Sequence, residues 1–362
     1  MAGSRRGPQL LYSSAKRCFV VLMYLTFPDW LRAEIIPGLP FRWYGLMYLI
    51  AFAVTYVLFM VQVKQRKLDT DQDTIVNFFF WGIIGLLIGA RLFSALFFDP
   101  TGIYLRRPWL IFWPFRDGRF VGLQGMNYYG GLVGAIAGFV IYARAKKIDM
   151  LDWGDMLAGG IPLGYTFGRL GNFINGELYG RVTTAPWGVL FPNARRFRGS
   201  EEWVQEWAAE VGIEAGGADA LVNLPRHPTQ LYEAFAEGVL LWLIIWFVLR
   251  KHKPYNGFIV GSYIIAYGLF RYVIDYFRMP ISASDFAVRL VDTGLPVHFV
   301  QSPLNLIPSQ LYSLAMIVGG ALFLLVVSRR AGRPGSDSTG DTSEVSGNGR
   351  NTSLRKLRKK IK

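Results

Sequence analysis

Cysteine is almost missing from this chain. Cys18 is the only one in 362 residues, so no intrachain disulfide can form. Histidine is nearly as scarce: His227, His252 and His298 are the complete set, and no His/Cys cluster has the spacing of a metal site. No metal site is therefore expected, and no other residue pattern in the chain calls for a cofactor. Charge is also thin, at 18% of residues, against 52% hydrophobic and 15% aromatic. Such a balance excludes an ordinary pair of soluble domains and points to a polytopic membrane protein.

What the chain has in quantity is long apolar windows. Seven of them, roughly 20 residues each, fall near 41–63, 76–98, 126–143, 156–175, 230–249, 256–276 and 305–328. The expected fold is therefore an all-α integral membrane protein of seven transmembrane helices over 41–328. Basic residues orient it. Lys64, Arg66 and Lys67 follow the first window, Arg144, Lys146 and Lys147 the third, and Arg250, Lys251 and Lys253 the fifth. By the positive-inside bias these loops are cytoplasmic, which puts the N-terminus outside and the C-terminus inside.

The net charge of +14 does not form one basic face, so nucleic acid is not an expected partner. Much of the excess lies in 329–362, where a Gly/Ser/Thr-rich stretch leads to "RKLRKKIK". That segment reads as a disordered cytoplasmic tail, either a tether to anionic lipid or simply solvated. Residues 1–40 read as an N-terminal extension or interfacial segment. Its "CFVVLMYLTF" faintly imitates a signal peptide but lacks a small-residue cleavage site.

Glycines recur every fourth residue at Gly130, Gly134 and Gly138, and again at Gly160, Gly164 and Gly168. Residues four apart share a helix face, so both stripes predict close backbone approach and no chemistry. Arginine calls for more explanation. Arg91, Arg169 and Arg271 lie in or at the ends of three windows, and all three facing lipid tails would cost roughly 10 kcal/mol. They either snorkel to headgroups or line an interior cavity. In the sixth window Tyr263, Tyr267, Arg271 and Asp275 recur every fourth residue, with Arg278 three later, which makes one polar stripe. Arg271 and Asp275 could simply neutralise each other; the two tyrosines favour a lined cavity.

The fourth window ends in "GRLGNFINGELYGR", residues 168–181. Arg169 and Asn172 share a face, Asn175-Gly176 reads as a turn, and Glu177 and Arg181 follow. A planar guanidinium fork with amide donors suits phosphate oxygens, so an arginine-lined pocket opening to the outer leaflet fits a phospholipid headgroup. "HPTQLYEAF" and "IPSQLYSLA" open the fifth and seventh windows, placing Gln230, Gln310 and Glu233 near the outer mouth. The outward excursion over 182–227 contains "EEWVQEWAAEV", whose Trp203, Trp207 and Val211 share a face. Such a helix lies in the interface, docks a peptide, or packs on its own small domain.

With these stretches in hand, the sequence resembles the bacterial prolipoprotein diacylglyceryl transferases. "GRLGNFINGELYGR" looks like that family's signature. "RWYGLMYL" at 42–49, "GARLF" at 89–93, "LPRHPTQLYEA" at 224–234 and "YGLFRYVIDYFRMP" at 267–280 extend the likeness along most of the chain. The resemblance implies transfer of a diacylglyceryl group from phosphatidylglycerol to the lipobox cysteine of prolipoprotein signal peptides, at the outer face of the bacterial inner membrane. Membrane lipids and such signal peptides are the implied partners. Its residue pattern maps onto Arg169, Asn172, Glu177, Tyr44, Arg91, Tyr267 and Arg271, with Arg169 and Arg271 as the headgroup clamp. Asn172 and Tyr44 would position the glyceryl group or phosphate; Gln230 and His227 join the substrate-binding set.

One position departs from the family. Where its third span opens with a histidine before a glycine pair, this chain reads "GMNYYGGLVG", with Tyr129 in that place. Tyr129 is then a proton relay or a hydrogen-bond donor to phosphate, and His227 is the other nitrogen base on the outer side. Three readings stay open on sequence: an active transferase, a relative that lost catalysis and only binds phospholipid or signal peptides, and a transporter. The transporter would call for broken helices in related halves, and the one short echo is the only repeat visible.

Overall fold

The computed structural model describes residues 24–331 apart from 37–41, 100, 117, 121–124, 218, 280–285, 293–295, 297 and 300–301. Cys18, most of the N-terminal extension and nearly all of the tail lie outside the described residues.

The chain is mostly helical. Among the described residues four helices are long and apolar enough to cross a membrane: α1 (Trp43–Arg66), α2 (Gln72–Phe97), α8 (Thr229–His252) and α10 (Pro308–Ala331). Each has 24 or 26 residues, which at 1.5 Å per residue spans about 36 Å or more. Between them stand the short α3 (Ile103–Arg106), the 18-residue α4 (Tyr128–Ala145), α5 (Met150–Ala158), α6 (Ile161–Ile174), α7 (Glu202–Glu210) and the 17-residue α9 (Phe258–Ile274). Among the described residues the strands are two residues long: β1 (Leu25–Thr26) beside β4 (Val189–Leu190), β2 (Phe115–Arg116) beside β3 (Arg119–Phe120), and β5 (Phe197–Arg198) beside β6 (Leu221–Val222).

The window expected at 156–175 as one helix is two. It breaks between α5 and α6 at Gly159-Gly160, with Pro162 in the first turn of α6. Two glycines weaken the helix and a proline restarts it, so both signals were local. The fifth window also deviates, because α8 carries π-helical turns over Ala234–Leu240 and Ile244–Val248. The wider turns re-aim the residues that follow Glu233.

Helix contacts follow the glycines. A Cβ on Gly134 would lie 2.1 Å from the Gly85 carbonyl oxygen, and one on Gly89 would lie 2.3 Å from that of Gly130. Hence α2 and α4 touch backbone to backbone along the predicted stripe. The second stripe holds only in part. Gly160 and Gly164 sit against Thr55 and Ala51 of α1, whereas Gly168 has nothing within 4 Å of its Cβ position. At the end where α5 begins, Phe59, Phe78, Phe79, Phe139 and Trp153 form an interlocked aromatic cluster. Beyond it, Asp152 pairs with Arg66 at 2.9 Å and Lys253 at 2.8 Å, and Asp155 accepts from the backbone amides of Gly257 and Val260 at the start of α9.

At the opposite end, the 182–227 excursion is a small packed unit. Val204 and Ala208 of α7 are fully buried with Leu224, Val222 and Phe197, and Trp203 and Trp207 lie edge-on or tilted against Phe299. The tryptophan face is thus turned onto its own core. Buried Arg181 ties this unit down through the Tyr276 and Phe299 carbonyls, and buried Arg226 braces it from within through the Arg195 carbonyl. Burial pulls both guanidinium groups down to about 10.

Candidate functional site

The C-terminal turns of α6 and α9 and the first turns of α8 meet at one end of the bundle, and each brings ionised residues to the meeting point. Glu233 is the hub. Its carboxylate lies 2.7 Å from Arg169 Nε, 3.0 Å from Arg271 Nη1 and 3.3 Å from Arg278 Nη1. Asp275 backs Arg271 at 3.1 Å, and Glu237 lies 3.8 Å from the same guanidinium. Three arginines therefore face three carboxylates. The exposures are unequal, however: the Arg169, Arg271 and Arg278 side chains are 17%, 13% and 22% exposed, the acids 1% or less. The acids sit behind and the guanidinium groups in front, so the open face of the cluster presents N–H donors.

A second layer fixes the arginine planes. Arg169 Nε also donates to the Tyr165 hydroxyl at 2.6 Å, its guanidinium lies over that ring at 4.7 Å, and Tyr165 in turn donates to Glu237 at 2.5 Å. Tyr267 packs edge-on against Tyr165 and interacts electrostatically with Glu237, Arg271 and Arg169. Such ties suit a guanidinium that must keep one orientation in a poorly hydrated place.

The signature loop closes the other side. Asn172 accepts weakly from Arg169 Nη1 at 3.4 Å and donates to Glu177 at 2.9 Å, and Gly176 takes the left-handed turn with φ 65°. Gln230, wholly buried, donates to the Glu177 carbonyl at 2.5 Å. It holds this loop. Tyr44 shares a hydrogen bond with Tyr48 at 2.9 Å and interacts electrostatically with Glu177 and Arg169, so it borders the cluster from α1.

Three other expected residues stand elsewhere. Arg91 is 4% exposed; it donates to the Ile111 carbonyl and, at 2.9 Å, to the Tyr104 hydroxyl. It fastens the loop that follows α2. His227 is buried against Tyr232 and Phe277, and burial, with Arg181 adding to it, lowers its pKa to about 4. A nitrogen so reluctant to bind a proton is a weak base. Tyr129 is 52% exposed and meets Tyr312 of α10. Its neighbour Tyr128, 69% exposed and edge-on to Tyr129, interacts electrostatically with Arg169, Arg271 and Glu237.

Sequence reading passed over Tyr165, Glu237 and Tyr128. Two carboxylates four apart in "LYEAFAEGVLLW" were the available signal, since intramembrane acids are rare and functional by default. Among the described residues no group of three or more His, Cys, Asp or Glu is arranged to hold a metal ion.

A bundle of apolar helices that gathers three arginines and three buried carboxylates at one end defines an integral membrane protein with a polar site at membrane depth. The chain belongs to the prolipoprotein diacylglyceryl transferase family, whose model matches residues 32–334. It is similar to the phosphatidylglycerol–prolipoprotein diacylglyceryl transferases of Treponema pallidum (45% identical, covering 83% of this chain and 94% of the relative) and Treponema denticola (44%, covering 85% and 95%). The enzyme of the same name from Borreliella afzelii is 37% identical over 84% of this chain and 96% of its own.

Proposed function

We propose that this protein transfers the diacylglyceryl group of phosphatidylglycerol to the lipobox cysteine thiol of prolipoproteins, the first step of bacterial lipoprotein maturation. The observation that carries the reading is the row of three arginines held from behind by Glu233. In the reaction a C–S bond forms at the glyceryl carbon, the C–O bond to phosphate breaks, and glycerol phosphate leaves with the electron pair. The thiol loses its proton. Charge therefore builds on the departing phosphate, and the guanidinium face is aimed where it builds. Arg169 and Arg271 clamp the phosphate, Arg278 supplements them, and Asn172 and Tyr44 flank the glyceryl group. Tyr267 fixes the clamp through Tyr165, and Glu177 holds Asn172.

For the proton we assign Tyr128, which opens α4 and interacts electrostatically with Arg169, Arg271 and Glu237. A thiol of ordinary pKa about 8.5 needs modest help, and a cationic pocket favours the thiolate itself.

The membrane reading accompanies this function. Seven crossings correspond to α1, α2, α4, α5 with α6, α8, α9 and α10, with the N-terminus outside, the tail cytoplasmic and the site toward the outer face of the inner membrane. In support, Arg66 and Lys253 share Asp152, and Arg250 donates to Gln65 at 3.0 Å, so basic residues from two separate loops gather at the end away from the clamp. The organisation into an extension (1–40), a catalytic bundle (41–328) with its 182–227 excursion, and a tail (329–362) follows from the same reading.

Incubating the purified protein with phosphatidylglycerol and a model lipobox peptide, then weighing the peptide by mass spectrometry, tests the proposal. A thioether-linked diacylglyceryl adduct is expected. Retained phosphatidylglycerol with no adduct would replace it by a binding protein that lost catalysis, the reading that the tyrosine at position 129 favours.

A further inference from the structure

The segment between α2 and α4 exposes what water would not tolerate. Leu105, Trp109, Phe112 and Trp113 are 71%, 65%, 46% and 56% exposed within nine residues. Arg106 and Arg107 lie among them, both exposed, and among the described residues neither forms a salt bridge. Among the described residues of the segment the acid is Asp99, which accepts from the Thr101 hydroxyl and from the backbone amides of Thr101 and Tyr104. Bulky apolar side chains interleaved with unpaired arginines are the composition of a surface seated in the headgroup layer.

The segment is also rigidly placed. Buried Arg91 holds it from α2, with its guanidinium 4.8 Å from the Tyr104 ring centre and a bond to the Ile111 carbonyl. At its far end the Asn127 backbone amide donates to the Ala90 carbonyl at 3.0 Å, and in the first turn of α4 Tyr129 meets Tyr312 of α10, whose Gln310 donates to the Tyr272 carbonyl beside Arg271. It therefore belongs to the same end of the bundle as the clamp.

We propose that residues 103–115 form a recruitment platform for anionic phospholipid, in which Leu105, Trp109, Phe112 and Trp113 seat in the leaflet beside the clamp and Arg106 and Arg107 concentrate its phosphate headgroups. The occupant is lipid of that leaflet. Charge complementarity with an anionic headgroup and the apolar rim both point to it, and this ligand class is the proposed substrate's own. The catalytic consequence rests on the function proposed above; the binding does not. Each arginine near an anionic surface enriches anionic lipid roughly fivefold at low ionic strength, an advantage that salt screens.

The full-length protein in phosphatidylcholine nanodiscs carrying graded phosphatidylglycerol supplies the test. Arg106→Gln/Arg107→Gln should raise the phosphatidylglycerol mole fraction at half-maximal transfer by fivefold or more with the maximal rate unchanged. Arg106→Lys/Arg107→Lys should keep the wild-type value, and high salt should erase the difference. An unchanged half-maximal fraction in the glutamine variant at low salt overturns the proposal. A second readout needs no catalysis: the emission lost on Trp109→Phe reports on Trp109, and brominated phosphatidylglycerol should quench it more than brominated phosphatidylcholine. That preference should vanish in the glutamine variant. Equal quenching by both lipids, or none, sinks the platform even if wild-type transfer is normal. If wild-type protein fails to transfer yet shows the preference, the platform stands and the transferase reading falls.

Discussion

Glu233 is the residue on which the arrangement turns, because one carboxylate serves Arg169, Arg271 and Arg278 at 2.7, 3.0 and 3.3 Å while its side chain is 1% exposed. Glu233→Gln keeps the shape and removes the charge. The three acids and three arginines then carry a surplus of one positive charge, and Arg169 and Arg271, which already repel each other, lose the anion between them. Two effects oppose each other. Freed guanidinium groups attract phosphate more strongly, which tightens substrate binding, but they no longer share a fixed plane. Breaking one side of a buried pair costs about 3–5 kcal/mol in stability. If each of two clamp arginines loses about 1.4 kcal/mol of transition-state stabilisation, turnover falls about 10²-fold. Orientation should win, since the acid is what aims the donors. Transfer to a lipobox peptide, measured by mass spectrometry on protein in nanodiscs, gives the rate; tryptophan-monitored melting gives the folded fraction. Glu233→Asp, shorter by one methylene, should fall between the two. Glu233→Gln with half or more of wild-type turnover at equal folded fraction would refute this account of the clamp.

Other expectations follow from separate contacts. Arg169→Lys and Arg271→Lys should each lower turnover at least about tenfold, because an ammonium cannot reproduce two donors in one plane; full activity at equal abundance would remove that arginine from the clamp. Tyr128→Phe should slow transfer about tenfold while Tyr129→Phe stays within about threefold, and the reverse ranking would return the proton to Tyr129. Burial holds His227 and His298 neutral, with Arg181 and Arg195 respectively adding to it, and lowers both to about 4. Unfolded chains bind protons there below about 6.5, so the excursion should lose stability as pH falls from 6.5 toward 4. Melting that is flat over this range, or a drop that survives replacing both histidines with glutamine, would contradict that. Gly134→Ala would set a methyl 2.1 Å from the Gly85 carbonyl and should destabilise by about 1–3 kcal/mol; an unshifted denaturation midpoint would show that α2 and α4 separate freely.

Sequence alone determined the solvent and the chemistry. Apolar length sets which segments suit a bilayer, glycines four apart mark where backbones touch, and arginine at membrane depth demands an anion or a partner; each is a property of near neighbours along the chain. The signature stretch, with Arg169, Asn172 and Glu177, was legible for that reason, and so was the polar stripe through Tyr267 and Arg271. Tertiary structure decided the pairings. Glu233 joins arginines 64 residues before it in Arg169 and 38 and 45 after it in Arg271 and Arg278, and no local spacing encodes that meeting. Glu237, in a π-helical turn of α8, accepts from Tyr165 of α6, 72 residues before it. Arg91 shows the limit most plainly. Sequence could say that a buried arginine needs oxygen acceptors, but whether those belong to a lipid or to the Ile111 carbonyl depends on where a distant loop folds back.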